Sequence, residues 1–215
     1  MGLDNKPVKV GIICGSTRSP RAGPQITDFV HETIKSHLAS QPPPDGLSIT
    51  LETVDIADFN LPLFDEPGIP QAITDPSGYA HQHTRDWSAR IASLDAFIFV
   101  TPQYNWGIPA ALKNAIDFLF NEWMRKPGMV VSYGGHGGGR AAEALAVVLQ
   151  GLRMRTPGRT VNLSFPDREF SGKCLVGGDL GLQDEGSVVW ARERDDIIAV
   201  WEDMVKLLLS SLGSS

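Results

Sequence analysis

The sequence predicts a three-layer, doubly wound α/β domain on a five-stranded parallel sheet of order 2-1-3-4-5. Three observations predict it. Two runs, Val8–Cys14 and Ala96–Thr101, are continuously apolar and rich in β-branched residues, as strands buried on both faces must be. Segments with apolar residues at three- and four-residue steps alternate with runs of this kind, which is the pattern of parallel strands joined by crossover helices. The 215 residues, 42% of them hydrophobic, supply one substantial core and not two, so a single domain over 1–215 is expected.

Val8–Cys14 is the first strand, ended by Gly15-Ser16-Thr17. Ile26, Phe29, Val30, Ile34 and Leu38 then make the apolar stripe of a helix over Gly23 to about Ala39. Gln41-Pro42-Pro43-Pro44-Asp45-Gly46 stops it, because proline has no N–H to donate and disfavours a helical residue before it. Ser48–Val54 is the second strand. Asn60–Gly78, punctuated by Pro62, Pro67, Pro70 and Pro76, is expected to be an ordered surface loop with one helical turn; its length makes it a candidate binding or dimerisation surface.

A helix is expected over Tyr79–Ser93 and the third strand over Ala96–Thr101. Gly107–Trp123 reads as a helix with Pro109 in its first turn and Leu112, Ala115, Ile116, Leu119 and Trp123 inward. Met129–Tyr133 is the fourth strand, Gly139 to about Gly151 an alanine-rich helix, and Thr160–Phe165 the fifth strand. Asp195–Leu212 closes the fold with Ile198, Trp201, Val205 and Leu208 inward.

Composition excludes several functions. Nineteen basic against 25 acidic residues give a net charge of −6, and no Lys/Arg-rich stretch offers the basic face that nucleic-acid phosphates require. No run of about 18 apolar residues spans a membrane. Met1–Lys6 lacks the apolar region of a signal peptide, and Lys6 stands where myristoylation needs Ser or Thr. Two cysteines make no disulfide framework, and Cys14 belongs to an apolar run, so a reducing, cytoplasmic setting is expected.

In an open doubly wound sheet, ligands bind beyond the carboxyl ends of the strands where strand order reverses. Three loops would meet there: Gly15 to Gly23, Pro102 to Gly107 and Gly134 to Arg140. The first combines glycine-loosened backbone, the hydroxyls of Ser16 and Thr17, and Arg18 and Arg21 ahead of a helix, which suits a phosphate monoester; it also suits a simple turn that caps the helix. It matches neither a Walker loop nor Gly-x-Gly-x-x-Gly. The second offers the amides of Gln103 and Asn105 and the rings of Tyr104 and Trp106 to a flat, polar-edged ligand; alternatively Pro102 and Gly107 are turn residues and Trp106 a core aromatic. His136 reads as a turn histidine, His81-Gln82-His83 as a solvated face without zinc spacing, and Glu143 and Asp117 as helix-surface charges.

Three stretches together carry a resemblance. Gly15-Ser16-Thr17-Arg18, Thr101 to Asp117 and Ser132 to Gly138 are similar, in order and spacing, to the NADPH-dependent FMN reductase family, a flavodoxin-like group that includes small quinone reductases and azoreductases. The resemblance covers Val8 to about Gly151, and Lys173–Glu185 has no counterpart in it. It implies noncovalent FMN, NADPH or NADH as co-substrate, and a homodimer, or a tetramer built from it, with the flavin near the subunit interface. The acceptor would be a quinone, azo compound, ferric chelate or flavin.

By the same resemblance, Ser16 and Arg18 hold the phosphate, and Arg21, Ala22 and Gly23 complete the loop. Pro102, Gln103, Tyr104, Asn105 and Trp106 line the isoalloxazine, and Tyr133, Gly134 and Gly135 supply the third side. Ser19-Pro20 departs from the family pattern within the first loop. No catalytic triad is legible, and the cofactor would carry the redox chemistry, with backbone N–H groups of the Gly134–Gly139 turn stabilising charge on reduction. A flavodoxin-like electron carrier or flavin-binding sensor without NAD(P)H turnover is the competing reading. Ala110-Ala111-Leu112 and Asn121-Glu122-Trp123 are expected to offer a dimer interface that favours the enzyme.

Overall fold

A computed structural model describes residues 7–43 and 46–212. Met1–Lys6, on which the targeting expectation rests, and Pro44 and Asp45 of the expected helix stop lie outside the described residues. Five parallel strands, β1 (Val8–Cys14), β2 (Ile49–Asp55), β3 (Ala96–Pro102), β4 (Gly128–Gly134) and β5 (Val161–Ser164), hydrogen-bond in the order β2-β1-β3-β4-β5. The register pairs Ile12 with Thr53 on one side and with Ile98 on the other, and Thr101 with Ser132. The carboxyl ends of β1, β3 and β4 therefore finish side by side.

Alternation along each strand feeds two apolar layers. Val10, Ile12, Ile98, Val100, Met129 and Val131 pack under α1 (Gly23–Ser40) and α6 (Ala191–Leu212). Ile13, Phe97, Phe99 and Val130 face α2 (Gln82–Ala92), α3 (Ala110–Asp117) and α4 (Gly139–Gly151). Along α6 the inward stripe runs through Ile197 and Val200 as well as Trp201, Val205 and Leu208, while Ile198 is only half-buried. No described helix is long and apolar enough to cross a membrane.

Two elements differ from expectation in ways that matter. The helix expected over Gly107–Trp123 is only α3, with Pro109 as its N-cap and Phe118 as its C-cap. Two indoles end it: Trp87 Nε1 donates to the carbonyl of Ala115 at 2.7 Å, and Trp123 Nε1 to that of Ile116 at 3.2 Å. The chain turns through 118–125, yet Leu119 and Trp123 stay buried, so the apolar pattern outlasts the helix. Asn121 is spent on the carbonyls of Pro70, Gln71 and Ile73, and Glu122 is buried beneath Tyr79 and Ser88 hydroxyls. Leu112 is buried as well, whereas Ala110 is exposed and Ala111 half-buried.

The second difference is α5 (Arg168–Val176), a helix absent from the periodic reading. The 60–78 loop holds two 3-10 turns, Pro70–Ala72 and Pro76–Gly78, and α2 begins three residues later than expected, at Gln82.

Trp123 is fully buried, with its ring 4.8 Å from that of Phe97 and 5.9 Å from that of Phe99. Trp123→Ala is expected to lower unfolding free energy by about 3–5 kcal/mol, through lost contacts and the cavity left behind, as read from the midpoint of urea denaturation.

Candidate functional site

The loop after β1 is organised by side chains that point inward. Ser16 is buried, whereas Thr17 and Arg18 are exposed, and Thr17 faces a separate hollow shared with Asn60 and Asn114. Gly23, first residue of α1, lies where Ser16, Cys14 and Tyr133 converge. A Cβ on Gly23 would stand 3.1 Å from both the Cys14 sulfur and the Tyr133 hydroxyl, and would collide outright with Ser16 Oγ. Glycine is required there by close approach, not by backbone conformation.

The two arginines of this loop do different work. Arg21 is clamped on Asp55 at the end of β2, with Nη1 at 2.9 Å and Nη2 at 2.5 Å from its carboxylate oxygens, and it also donates to the Ser16 carbonyl. The hydrogen bond to Asp55 holds its guanidinium charged and largely neutralises it. Arg18 has no carboxylate among its hydrogen-bond partners in the described residues. Its Nη2 donates to the carbonyl of Cys174 at 2.8 Å and its Nη1 to that of Leu175 at 3.0 Å, which uses two of five donors. Its positive charge is thus left for an anion to meet.

The N-terminus of α1 beside these residues has Ala22 at its N-cap, no side-chain cap and no acidic residue in the first turn. The positive end of the helix dipole is uncompensated by side chains.

The loop after β3 makes a two-residue turn: Tyr104 and Gly107 exchange backbone hydrogen bonds of 2.9 and 3.0 Å, and Asn105 and Trp106 have φ of 47° and 66°. Asparagine tolerates this conformation, but a tryptophan held there costs about 1–2 kcal/mol. Trp106 projects outward, 73% exposed, with the Arg140 guanidinium 5.8 Å from its ring centroid, so it is no core aromatic. Gln103 Oε1 accepts from the N–H groups of Arg140 and Ala141 at 3.0 and 3.3 Å, joining this loop to the first turn of α4.

The glycine turn after β4 is fixed from beneath, where the buried Ser132 hydroxyl meets the Gly137 carbonyl at 2.7 Å and Asn162 Oδ1 at 2.8 Å. Gly138, the N-cap of α4, has φ of +74°, and a Cβ there would stand 2.8 Å from the Tyr133 carbonyl oxygen. His136 is exposed at the tip of the turn.

These loops enclose one cavity of about 420 Å³, lined by Ser16, Arg18, Arg21, Ala22, Pro102, Gln103, Tyr104, Tyr133, Gly134, Gly135, Phe165, Ser171, Cys174 and Leu175. Ten of the thirteen residues nominated from sequence are in that lining. Gly23 lies behind it as the packing point just described, and Asn105 and Trp106 belong to the outward turn and not to the lining. Phe165 and the three α5 residues were missed. Asp167, whose carboxylate caps Phe170 N–H at 2.7 Å, and Gly177, left-handed at φ +68°, bracket α5 and are the signal that could have found it. An apolar hollow of about 280 Å³ between α1 and α6, lined by His37, Trp201 and Val205 among others, contains none of the loop residues.

Outside the cavity the chemistry is quieter. His81 and His83 stack 5.1 Å apart with His83 on Asp65, and no cluster fit for a metal ion exists among the described residues. Asp117 pairs with Lys113 and Glu143 with Arg140 on exposed helix surface. In the cavity wall and behind it, burial pushes up the Tyr133 phenol and the Cys14 thiol, and lifts the Cys174 thiol to about 11.

Both thiols are free, buried and neutral at physiological pH. A raised pKa leaves the thiol protonated below it, so alkylation by iodoacetamide at pH 8 is expected to be at least about tenfold slower in the folded protein than in urea. Mass spectrometry of each cysteine checks this.

The model of the NADPH-dependent FMN reductase family matches residues 8–166. An NAD(P)H-dependent FMN reductase of Nectria sp is 38% identical over 201 residues, covering 93% of this chain and 96% of the relative. One of Saccharomyces cerevisiae is 46% identical over 155 residues, covering 70% and 78%. Among solved structures, a flavoenzyme NAD(P)H:(acceptor) oxidoreductase of Paracoccus denitrificans superposes with a TM-score of 0.61 at 19% identity, over 93% of this chain and 98% of that one, which is a likeness of fold.

Proposed function

The chain belongs to the NADPH-dependent FMN reductase family, and we propose that it is an FMN-dependent NAD(P)H oxidoreductase whose acceptor is a quinone or a similarly flat small molecule. One observation carries the reading. Arg18, a cation without a carboxylate partner among the described residues, and the uncapped N-terminus of α1 share a cavity with Pro102, Tyr104 and Tyr133. An anionic group and a flat ring in one ligand match that donor set.

In this reading Ser16 and Arg18 hold the FMN phosphate, with Ala22 and Gly23 at the helix start. Arg21 contributes by pinning the loop to Asp55 and the Ser16 carbonyl. Pro102, Gln103 and Tyr104 bound the ring on one side, with Asn105 and Trp106 at the mouth, and Tyr133, Gly134 and Gly135 on the other. Bound there, FMN supplies hydride transfer between reduced nicotinamide and acceptor. The chain's part is to bind, orient and exclude water, and to aim backbone donors of the glycine turn at charge that builds on reduction. Burial holds the Tyr133 phenol and the Cys14 and Cys174 thiols in their protonated forms.

The proposal extends to one domain acting as a homodimer. Trp106, Leu63 and Ile69 are 73%, 86% and 74% exposed, apolar surface that a second copy would cover. The free, buried thiols suit the cytoplasm.

The purified protein is expected to be yellow, and NADH or NADPH is expected to bleach its flavin absorbance under anaerobic conditions. A colourless protein that takes up no added FMN would sink the reading, and stable colour without bleaching would favour an electron carrier.

A further inference from the structure

We propose that α5 is a working wall of the flavin site and that its attachment to the loop after β1 governs how fast FMN leaves. The inference rests on the flavin reading above. α5 lies beyond the residues 8–166 matched by the family model, yet Ser171, Cys174 and Leu175 line the cavity.

The two halves of α5 are held by different forces. The first half is rooted in the core, with Phe170 buried and its ring 5.5 Å from Phe165 and 5.2 Å from Trp190. The second half buries Cys174 but ends with Leu175 and Val176, 67% and 70% exposed, so apolar burial alone does not fasten its end. Polar contacts do the rest. Arg18 donates to the carbonyls of Cys174 and Leu175, Gln25 Nε2 donates to the carbonyl of Gly178 at 2.9 Å, and Leu180 N–H donates to Gln25 Oε1 at 2.9 Å. Gly177 closes against Pro20, where a Cβ would come within 2.9 Å of the proline Cβ.

All these holdfasts sit on the phosphate-facing loop or the first turn of α1. A segment tied down by a few polar bonds opens at lower free energy than one tied by apolar burial. Arg18 keeps three N–H donors beyond the two spent on α5, so one guanidinium joins the helix end to the anion. An anion that orders Arg18 steadies α5, and by linkage a docked α5 steadies the anion. Retention of FMN as a resident group therefore depends on a helix that touches it from outside the matched sheet and loops.

The test follows FMN release by recovery of flavin fluorescence on dilution, in the wild type and in Gln25→Leu, a position absent from the cavity lining. Hydrogen exchange over 168–182 is measured in the wild type with and without FMN. Release is expected to be about tenfold faster in the variant, the scale of one or two lost hydrogen bonds, and FMN is expected to slow exchange in the second half of α5. Equal release rates, or exchange in α5 indifferent to bound FMN, overturn the proposal while leaving the flavin reading intact. A wild type that binds no FMN overturns both. Should Gln25→Leu fail to fold, Gly177→Ala, which pushes α5 off Pro20, is expected to give the same acceleration, and an unchanged rate there overturns the proposal.

Discussion

The reversal of strand order between β1 and β3 is the constraint on which the site depends. Because β1 lies between β2 and β3, and the chain then proceeds outward through β4 to β5, the loops leaving β1 and β3 run to opposite faces of the sheet and open a crevice between them. Each loop is then shaped by a local necessity. Gly23 lets Ser16, Cys14 and Tyr133 meet, Gly138 avoids the Tyr133 carbonyl, and Asn105 and Trp106 make a tight turn at positive φ. The two apolar layers hold these loops in place, and Ala22, Tyr133 and Cys174 of the layer under α1 and α6 also form part of the cavity wall.

Electrostatics divides the labour. Two arginines only three positions apart look equivalent in sequence, but Asp55 at the end of β2 neutralises Arg21 and makes it a brace for the loop. Arg18 meets only neutral carbonyls at the C-terminus of α5, so the cavity retains net positive character beside an uncapped helix start. A phosphate binds best where cationic charge is unspent.

Much of the fold was legible because parallel strands buried on both faces announce themselves as continuous apolar runs, and α4 was found at its observed bounds, Gly139–Gly151. Lengths erred where tertiary partners decide them. Nothing local to Gly107–Trp123 shows that the indole of Trp87, 28 residues before Ala115, takes a carbonyl at the end of α3. The nominated loops do meet, and Gln103, Tyr104 and Tyr133 share the lining with Ser16 and Arg18. α5 was illegible to periodicity because its Leu175 and Val176 face outward and Gly172 interrupts it, leaving only its caps as a signal. The engagement of Arg18 with α5 joins residues about 156 apart in the chain, a pairing that no spacing reveals.

The central claim is that an unspent cation and a helix start recognise a phosphate while the neighbouring walls recognise a ring. Calorimetric titration of the FMN-free protein with FMN and with riboflavin, which lacks the phosphate, tests it most directly. The account predicts that FMN binds about ten- to a hundredfold tighter, the scale of a charge-assisted hydrogen bond, and that Arg18→Ala removes most of the difference. Equal affinity for the two flavins, or a difference that survives Arg18→Ala unchanged, would contradict it.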